Sequence, residues 1–250
     1  SAPQWSSNVQ SSGESTHQRP TDHQAVDGRL AHSSKEATPP PVNLLCSEVF
    51  LESWADVVAE LASGKWAGNE EGQKVVLFDT SLICGVDIES PDQCGMMVFE
   101  ASMLQTAEEA KQIVLDVASL AAIGRYKKLF IFISTNVESS MALAKHMVQL
   151  LCSTAPHNGS PPTKVFFKTV PPSLLSGAIA RTILFRKKDV AENSLLVEHA
   201  LGILSDPLWR DRGQLLLSVV PVLTTFGAIQ CLLHSKQMLP PGSPSFGILL

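Results

Sequence analysis

Five carboxylates, Asp79, Asp87, Glu89, Asp92 and Glu100, fall at the ends of short apolar runs or in the loop between them. Carboxylates clustered at strand ends can hold Mg²⁺, and phosphodiester hydrolysis then needs a lysine beside the metal to stabilise charge developing in the transition state. No lysine stands beside these acids, and the alternative is that they are ordinary solvated loop residues. Other catalytic signatures are missing: there is no GxGxxG, GxSxG or HExxH. Ser63-Gly64-Lys65 closes a helical pattern instead of opening one, so it is not a phosphate loop. The histidines do not fall at ligand spacing and no CxxC occurs, so neither a metal nor another cofactor is expected.

A second chemistry is open to the cations. Arg181, Arg186, Lys187 and Lys188 gather at the end of one helical pattern, and Arg210 and Arg212 precede the last helices. Such residues contact phosphates without reading sequence. Cations at a helix C-terminus are also favoured by the macrodipole alone, so the placement has a purely structural explanation as well.

The chain is long enough for one substantial domain: 250 residues, 44% apolar, net charge −5. The charge is uneven, with 9 Lys+Arg against 15 Asp+Glu over 43–180 and 7 against 5 over 181–250, so a polyanion would meet the C-terminal part. Five widely spaced cysteines in a chain of this size imply a reducing compartment. Ser1-Ala2-Pro3-Gln4 opens no apolar signal-peptide run.

The elements that must position these residues centre on Lys128-Leu129-Phe130-Ile131-Phe132-Ile133-Ser134, an apolar run that reads as a strand buried on both faces. A helical pattern precedes it, opened by a capping box at Thr106-Ala107-Glu108-Glu109. A second pattern follows through Met141, Ala144, Val148 and Leu151. Further strands are expected over 74–79, 95–100 and 163–167, and helices over 44–61 and from Pro171-Pro172 through Leu184. That alternation is an α/β domain over 43–190, with a parallel sheet covered on both faces. Residues 1–42, rich in Ser, Gln, Thr, His and Pro, are expected to be disordered. Residues 191–238 are expected to be a helical tail, with helices over 195–204 and 214–233, the latter broken near Pro221 and Gly227, and 239–250 to be flexible. The stretch 213–233 carries no charge for 21 positions, close to a membrane span, but its Ser, Pro, Thr, Gly and Gln favour short packed helices over a tail anchor.

The phrase Val222-Leu223-Thr224-Thr225-Phe226-Gly227-Ala228-Ile229 resembles the Leu-Thr-Thr-Phe-Gly segment in the helix-hairpin-helix tail of the inactive partner subunit of XPF-type structure-specific endonucleases. A helix ending in Arg-Thr-Ile-Leu-Phe-Arg-Lys-Lys before a helical unit matches the family's domain order, and the resemblance covers about residues 73–238. It implies an XPF-type nuclease-like sheet covered by helices, followed by a degenerate helix-hairpin-helix-like tail. Active members carry Glu-Arg-Lys-x-x-x-Asp after a strand; here Val98-Phe99-Glu100-Ala101-Ser102 keeps the Glu and loses Arg and Lys. The resemblance therefore implies a pseudonuclease with no catalytic residues.

The family's second hairpin would fall where this chain has Leu239-Pro240-Pro241-Gly242, which weakens DNA binding by the tail and leaves docking to a partner's tail. The meiotic branch of the family implies the partner: a larger XPF-like protein of the shortage-in-chiasmata type, with branched DNA as ligand, on chromosomes in the nucleus. The tail's apolar residues Leu216, Val219, Val220, Leu223, Phe226, Ile229 and Leu233 are then the expected partner interface.

Overall fold

The structure, a computed structural model, describes residues 39–81, 83, 85–104, 106–135, 163–184 and 190–238. In chain order the elements are β1 (Val42–Cys46), α1 (Glu48–Ser53), α2 (Ala55–Ser63), β2 (Val75–Asp79), β3 (Ile88–Ser90), β4 (Cys94–Glu100), α3 (Ala107–Ile123), β5 (Lys128–Ser134), β6 (Lys164–Val170), α4 (Leu175–Leu184), α5 (Val190–Leu204), α6 (Pro207–Val219) and α7 (Thr225–Met238). The six strands form one sheet in the order β2-β1-β3-β4-β5-β6.

The sheet is mixed, where a parallel one was expected. β1 and β2 are parallel, as are β4, β5 and β6, but β3 runs antiparallel to both β1 and β4. The loop expected between the strands over 74–79 and 95–100 contains β3, whose three residues Ile-Glu-Ser show no apolar alternation. The signal it did offer is the turn Pro91-Asp92-Gln93, in which Gln93 takes a left-handed φ of 61° and sends the chain back as β4. β5 is buried as expected, with Leu129, Ile131, Phe132 and Ile133 all at 0% exposure, but it lies next to the β6 edge and not at the centre.

The helix expected over 44–61 starts only at Glu48. Val42, Leu44, Leu45 and Cys46 are strand residues at 2% exposure or less, because β1 lies inside the sheet with a covered face on either side. A short run of this kind, apolar apart from Asn43, has no period to separate strand from helix. Ser47 makes the switch: its hydroxyl accepts the Phe50 amide at 3.2 Å and caps α1. Trp54 interrupts the helix, and Gly64, at φ 73°, closes α2 as its position implied. The capping box at Thr106 and Glu109 forms as expected. Pro172 opens a single 3₁₀ turn, Pro172–Leu174, ahead of α4.

Period-2 alternation sends the strands into two cores. Val42, Leu44, Ile88, Met96, Val98 and Phe132 point to one face, under α1, α2 and α4. Met97, Leu129, Ile131 and Ile133 point to the other, under α3. Leu45 shares that second face with Val197, Ala200, Ile203, Trp209, Phe226 and Ile229 of α5, α6 and α7. The helices after residue 190 thus cover β1 directly, and a small cluster of their own forms around Leu217 and Ala228. Burying each large apolar side chain is worth about 1.5–3 kcal/mol, which is what holds three layers together.

The uncharged stretch 213–233 is divided between α6 and α7 by the turn around Pro221, and Gly227 lies inside α7 instead of breaking it. Among the described residues no helix is long and apolar enough to cross a membrane. The expectations for 1–38, for the helix through Met141 and Leu151, for Arg186, Lys187 and Lys188, and for 239–250 lie outside the described residues.

One glycine seats α4. A Cβ on Gly177 would lie 2.8 Å from the Ala67 carbonyl oxygen, a backbone atom with little room to retreat. Gly177→Ala would gain about 1 kcal/mol in an exposed helix. Here it is expected to destabilise by about 1–3 kcal/mol in urea denaturation, and an unchanged midpoint would contradict this seating.

Candidate functional site

Of the residues singled out by type, Asp87, Glu89 and Asp92 lie in or next to β3. Glu89, its middle residue, is fully buried, facing the helical cover. Its Oε1 accepts the Phe226 amide at 3.0 Å, and its Oε2 accepts the Tyr126 hydroxyl at 3.0 Å. Thr225 adds hydrogen bonds from its amide and its hydroxyl. Glu89 is therefore an N-terminal cap of α7 supplied from the sheet, where free amides and the positive end of the helix dipole both favour an anion. Burial pushes its carboxyl up from the usual range, while the Phe226 amide, Thr225 and Tyr126 pull it back down. Burial also raises the Tyr126 hydroxyl, Glu89 adding to this and Arg125 opposing it. Arg125 completes the clasp, its Nε donating to the Pro221 carbonyl at 2.8 Å.

The Leu-Thr-Thr-Phe-Gly phrase thus has a local reason. The Thr224 hydroxyl accepts the Gly227 amide at 3.0 Å, Thr225 and Phe226 bind Glu89, and the Phe226 ring fills the core.

The other carboxylates separate. Asp87 accepts the Val98 amide at 2.7 Å, and burial, opposed by that hydrogen bond, pushes its carboxyl up to about 6. Glu100 is exposed at the end of β4 and accepts the Ser102 hydroxyl at 2.8 Å. Asp79 is exposed, and Asp92 accepts from the Ser90 hydroxyl in the β3 to β4 turn. The solvated-loop reading fails for Glu89 and Asp87 and holds for Asp79 and Glu100. Among the described residues, no three His, Cys, Asp or Glu side chains come together as a group able to hold a metal ion. Cys46 is no nucleophile: burial, then Asp79 and Asp87, push its thiol up to about 12.

The cations do not converge on the tail. Arg181 is exposed on α4 and reaches the Ala67 carbonyl at 3.4 Å, whereas Arg210 and Arg212 belong to α6. Arg212 lies 4.8 Å from the Trp209 ring centroid, a cation–π contact that partly explains its presence.

The expected apolar interface divides too. Phe226 and Ile229 are buried in the chain's own core, and Leu216, Leu223 and Leu233 are partly buried against it, so only part of the set faces outward. Val219, at 56%, is exposed together with Leu215 at 52%, Val222 at 55% and Leu208 at 46%. Leu208, Leu215 and Val219 are spaced seven and four apart, one stripe along α6. That spacing was readable in sequence, but which of α6's two apolar faces would be covered was not.

No family model matches this sequence, and no curated protein does. Among solved structures, XPF from Aeropyrum pernix matches at 14% identity and a TM-score of 0.37, over 79% of this chain and 99% of that one.

Two outcomes follow from the geometry. Replacing Glu89 with Leu leaves the Phe226 amide and Tyr126 hydroxyl buried without their acceptor, and is expected to cost about 3 kcal/mol. Hydrogen exchange at the Phe226 amide should accelerate with it, and slow exchange there in the variant would refute the cap. Asp87 holds its proton more tightly folded, about 6, than at its ordinary 3.8. Its contribution is therefore present at pH below 3.8 and lost as pH rises toward about 6, a difference worth about 3 kcal/mol. Urea denaturation of Asp87→Asn across that window should show a correspondingly flatter pH dependence than the parent chain.

Proposed function

We propose that this chain is the non-catalytic subunit of a heterodimer whose larger member is an XPF-like protein of the shortage-in-chiasmata type. In this reading the pair binds branched DNA recombination intermediates and favours crossover formation on meiotic chromosomes in the nucleus, in the manner of the plant PARTING DANCERS protein.

The observation that carries the reading is the end of β4. On the sequence resemblance Glu100 is the best local counterpart of the family's acid, but Ala101 and Ser102 follow it, and the Ser102 hydroxyl donates to the carboxylate at 2.8 Å. A hydroxyl in that place brings no positive charge to a leaving group, so the phosphodiester step lacks its stabiliser. A second observation supports pairing: the stripe of Leu208, Leu215 and Val219 is apolar and exposed on a helix whose opposite face is already buried, and Val222 in the turn after it is exposed as well.

Co-expression of the two chains tests the reading. A stable one-to-one complex is expected, weakened at least about tenfold by Leu215→Glu combined with Val219→Glu, with the melting temperature of the isolated chain unchanged. Labelled forked DNA should stay intact with Mg²⁺ or Mn²⁺, alone and with the partner. Cleavage that disappears in Glu100→Ala would establish an active nuclease instead.

A further inference from the structure

A cleft of about 600 Å³ opens between α4 and the face of the sheet, away from the β4 end and from the tail. Its sides carry Lys128, Phe130, Lys168 and Arg181, and Asp92 lies at the Lys128 end. The β5 to β6 register explains the pattern. Lys128 pairs with Lys164, Phe130 with Phe166, and Phe132 with Lys168, so cations and aromatic rings alternate on one face of two neighbouring strands.

Phe130 and Phe166 stack with centroids 5.0 Å apart, and Phe166 is 40% exposed on the edge strand. The Lys168 ammonium lies 5.8 Å from the Phe130 ring centroid and donates to the Thr182 hydroxyl at 3.0 Å. Arg181 donates to a backbone carbonyl, so neither of these bonds is to a carboxylate. Burial, with Arg181 nearby, lowers the Lys168 ammonium from its ordinary value.

We propose that this cleft seats single-stranded nucleic acid, with a backbone phosphate between Lys168 and Arg181 and an unstacked base against Phe130 in the cleft and Phe166, which stacks on Phe130 outside the cleft's lining on the edge strand. Cations beside a flat aromatic surface match the alternation of phosphate and base along a strand. The volume suits a nucleotide-sized ligand. A duplex keeps its bases stacked inside, out of reach of the rings. A run of acidic side chains would be drawn to the cations, but it would leave the aromatic pair unused and meet Asp92 at the far end. The inference rests on the reading above only in taking nucleic acid as the ligand class; it needs neither the partner nor the tail.

Fluorescence anisotropy of the full chain, without partner, tests it with four probes of equal length: a labelled oligothymidine, an abasic strand, a duplex and a polyglutamate peptide. Oligothymidine should bind at least about tenfold tighter than each of the others. Phe166→Leu should weaken oligothymidine binding about tenfold and leave the abasic strand unchanged. Arg181→Gln, at an exposed position, should lower the slope of log affinity against log salt by about 0.7, which keeps the test decisive if Phe166→Leu fails to fold. Equal binding of duplex or polyglutamate, or binding indifferent to both substitutions, would overturn the proposal. A chain that binds branched duplex but prefers no single strand sinks the cleft and spares the subunit reading. A chain that binds single strands but never pairs does the reverse.

Discussion

The fold depends on a buried carboxylate. Glu89 has no exposure to water, which pushes its carboxyl up from the usual range, and what opposes that burial is a set of donors: two backbone amides at the start of α7, the Thr225 hydroxyl and the Tyr126 hydroxyl. An unpaired charge in that place would cost several kcal/mol, and removing one partner leaves the others stranded. The arrangement fixes where α7 begins, and through Pro221 and Arg125 it fixes the turn before it as well. A helix joined only by its apolar face could slide by a turn; one joined by its N-terminal amides to a single carboxylate has one register.

This changes what the C-terminal helices are. They are the second cover of β1, which is why Leu45 is as deeply buried as any residue in the middle of the sheet. A strand buried on both faces needs a helical layer on each side, and α1, α2 and α4 supply only one. Residues that sequence alone offers to a partner, Phe226 and Ile229 foremost, are consumed in meeting that need. What remains outward is the narrower stripe along α6, and it is this stripe, not the whole apolar content of the tail, that the proposed heterodimer would use.

The mixed sheet has a consequence for the acids. The short β3 hairpin, turned by Pro91, Asp92 and Gln93, brings Glu89 beneath α7 and Asp87 against the Val98 amide. Both are thereby committed to hydrogen bonds within the fold. Glu100, at the far end of the same hairpin's second strand, stays exposed with Ser102 as its neighbour. On the edge strand β6, the period-2 pleat turns Lys164, Phe166 and Lys168 to the same face, where they are exposed.

Much of this was present in local chemistry. The capping box at Thr106, the glycine stop at Gly64, the proline-opened start of α4 and the apolar run of β5 are each set by residues within a few positions of one another, so they can be read without the fold. β1 and β3 could not be read this way: four apolar residues with Asn43 among them show no alternation, and Ile-Glu-Ser has no pattern at all. The cation and aromatic ladder of β5 and β6 was equally hidden, since Lys128, Phe130, Phe166 and Lys168 belong to strands separated by a long connection and meet only through register. Glu89 shows the division most clearly. Sequence determined that an acid would stand in the connection between two strands and that the helix over 214–233 would break near Pro221; the tertiary structure decided that the acid and the restarted helix were each other's partner, 137 residues apart along the chain, because a buried carboxyl and an uncapped helix end each cost energy that their meeting removes.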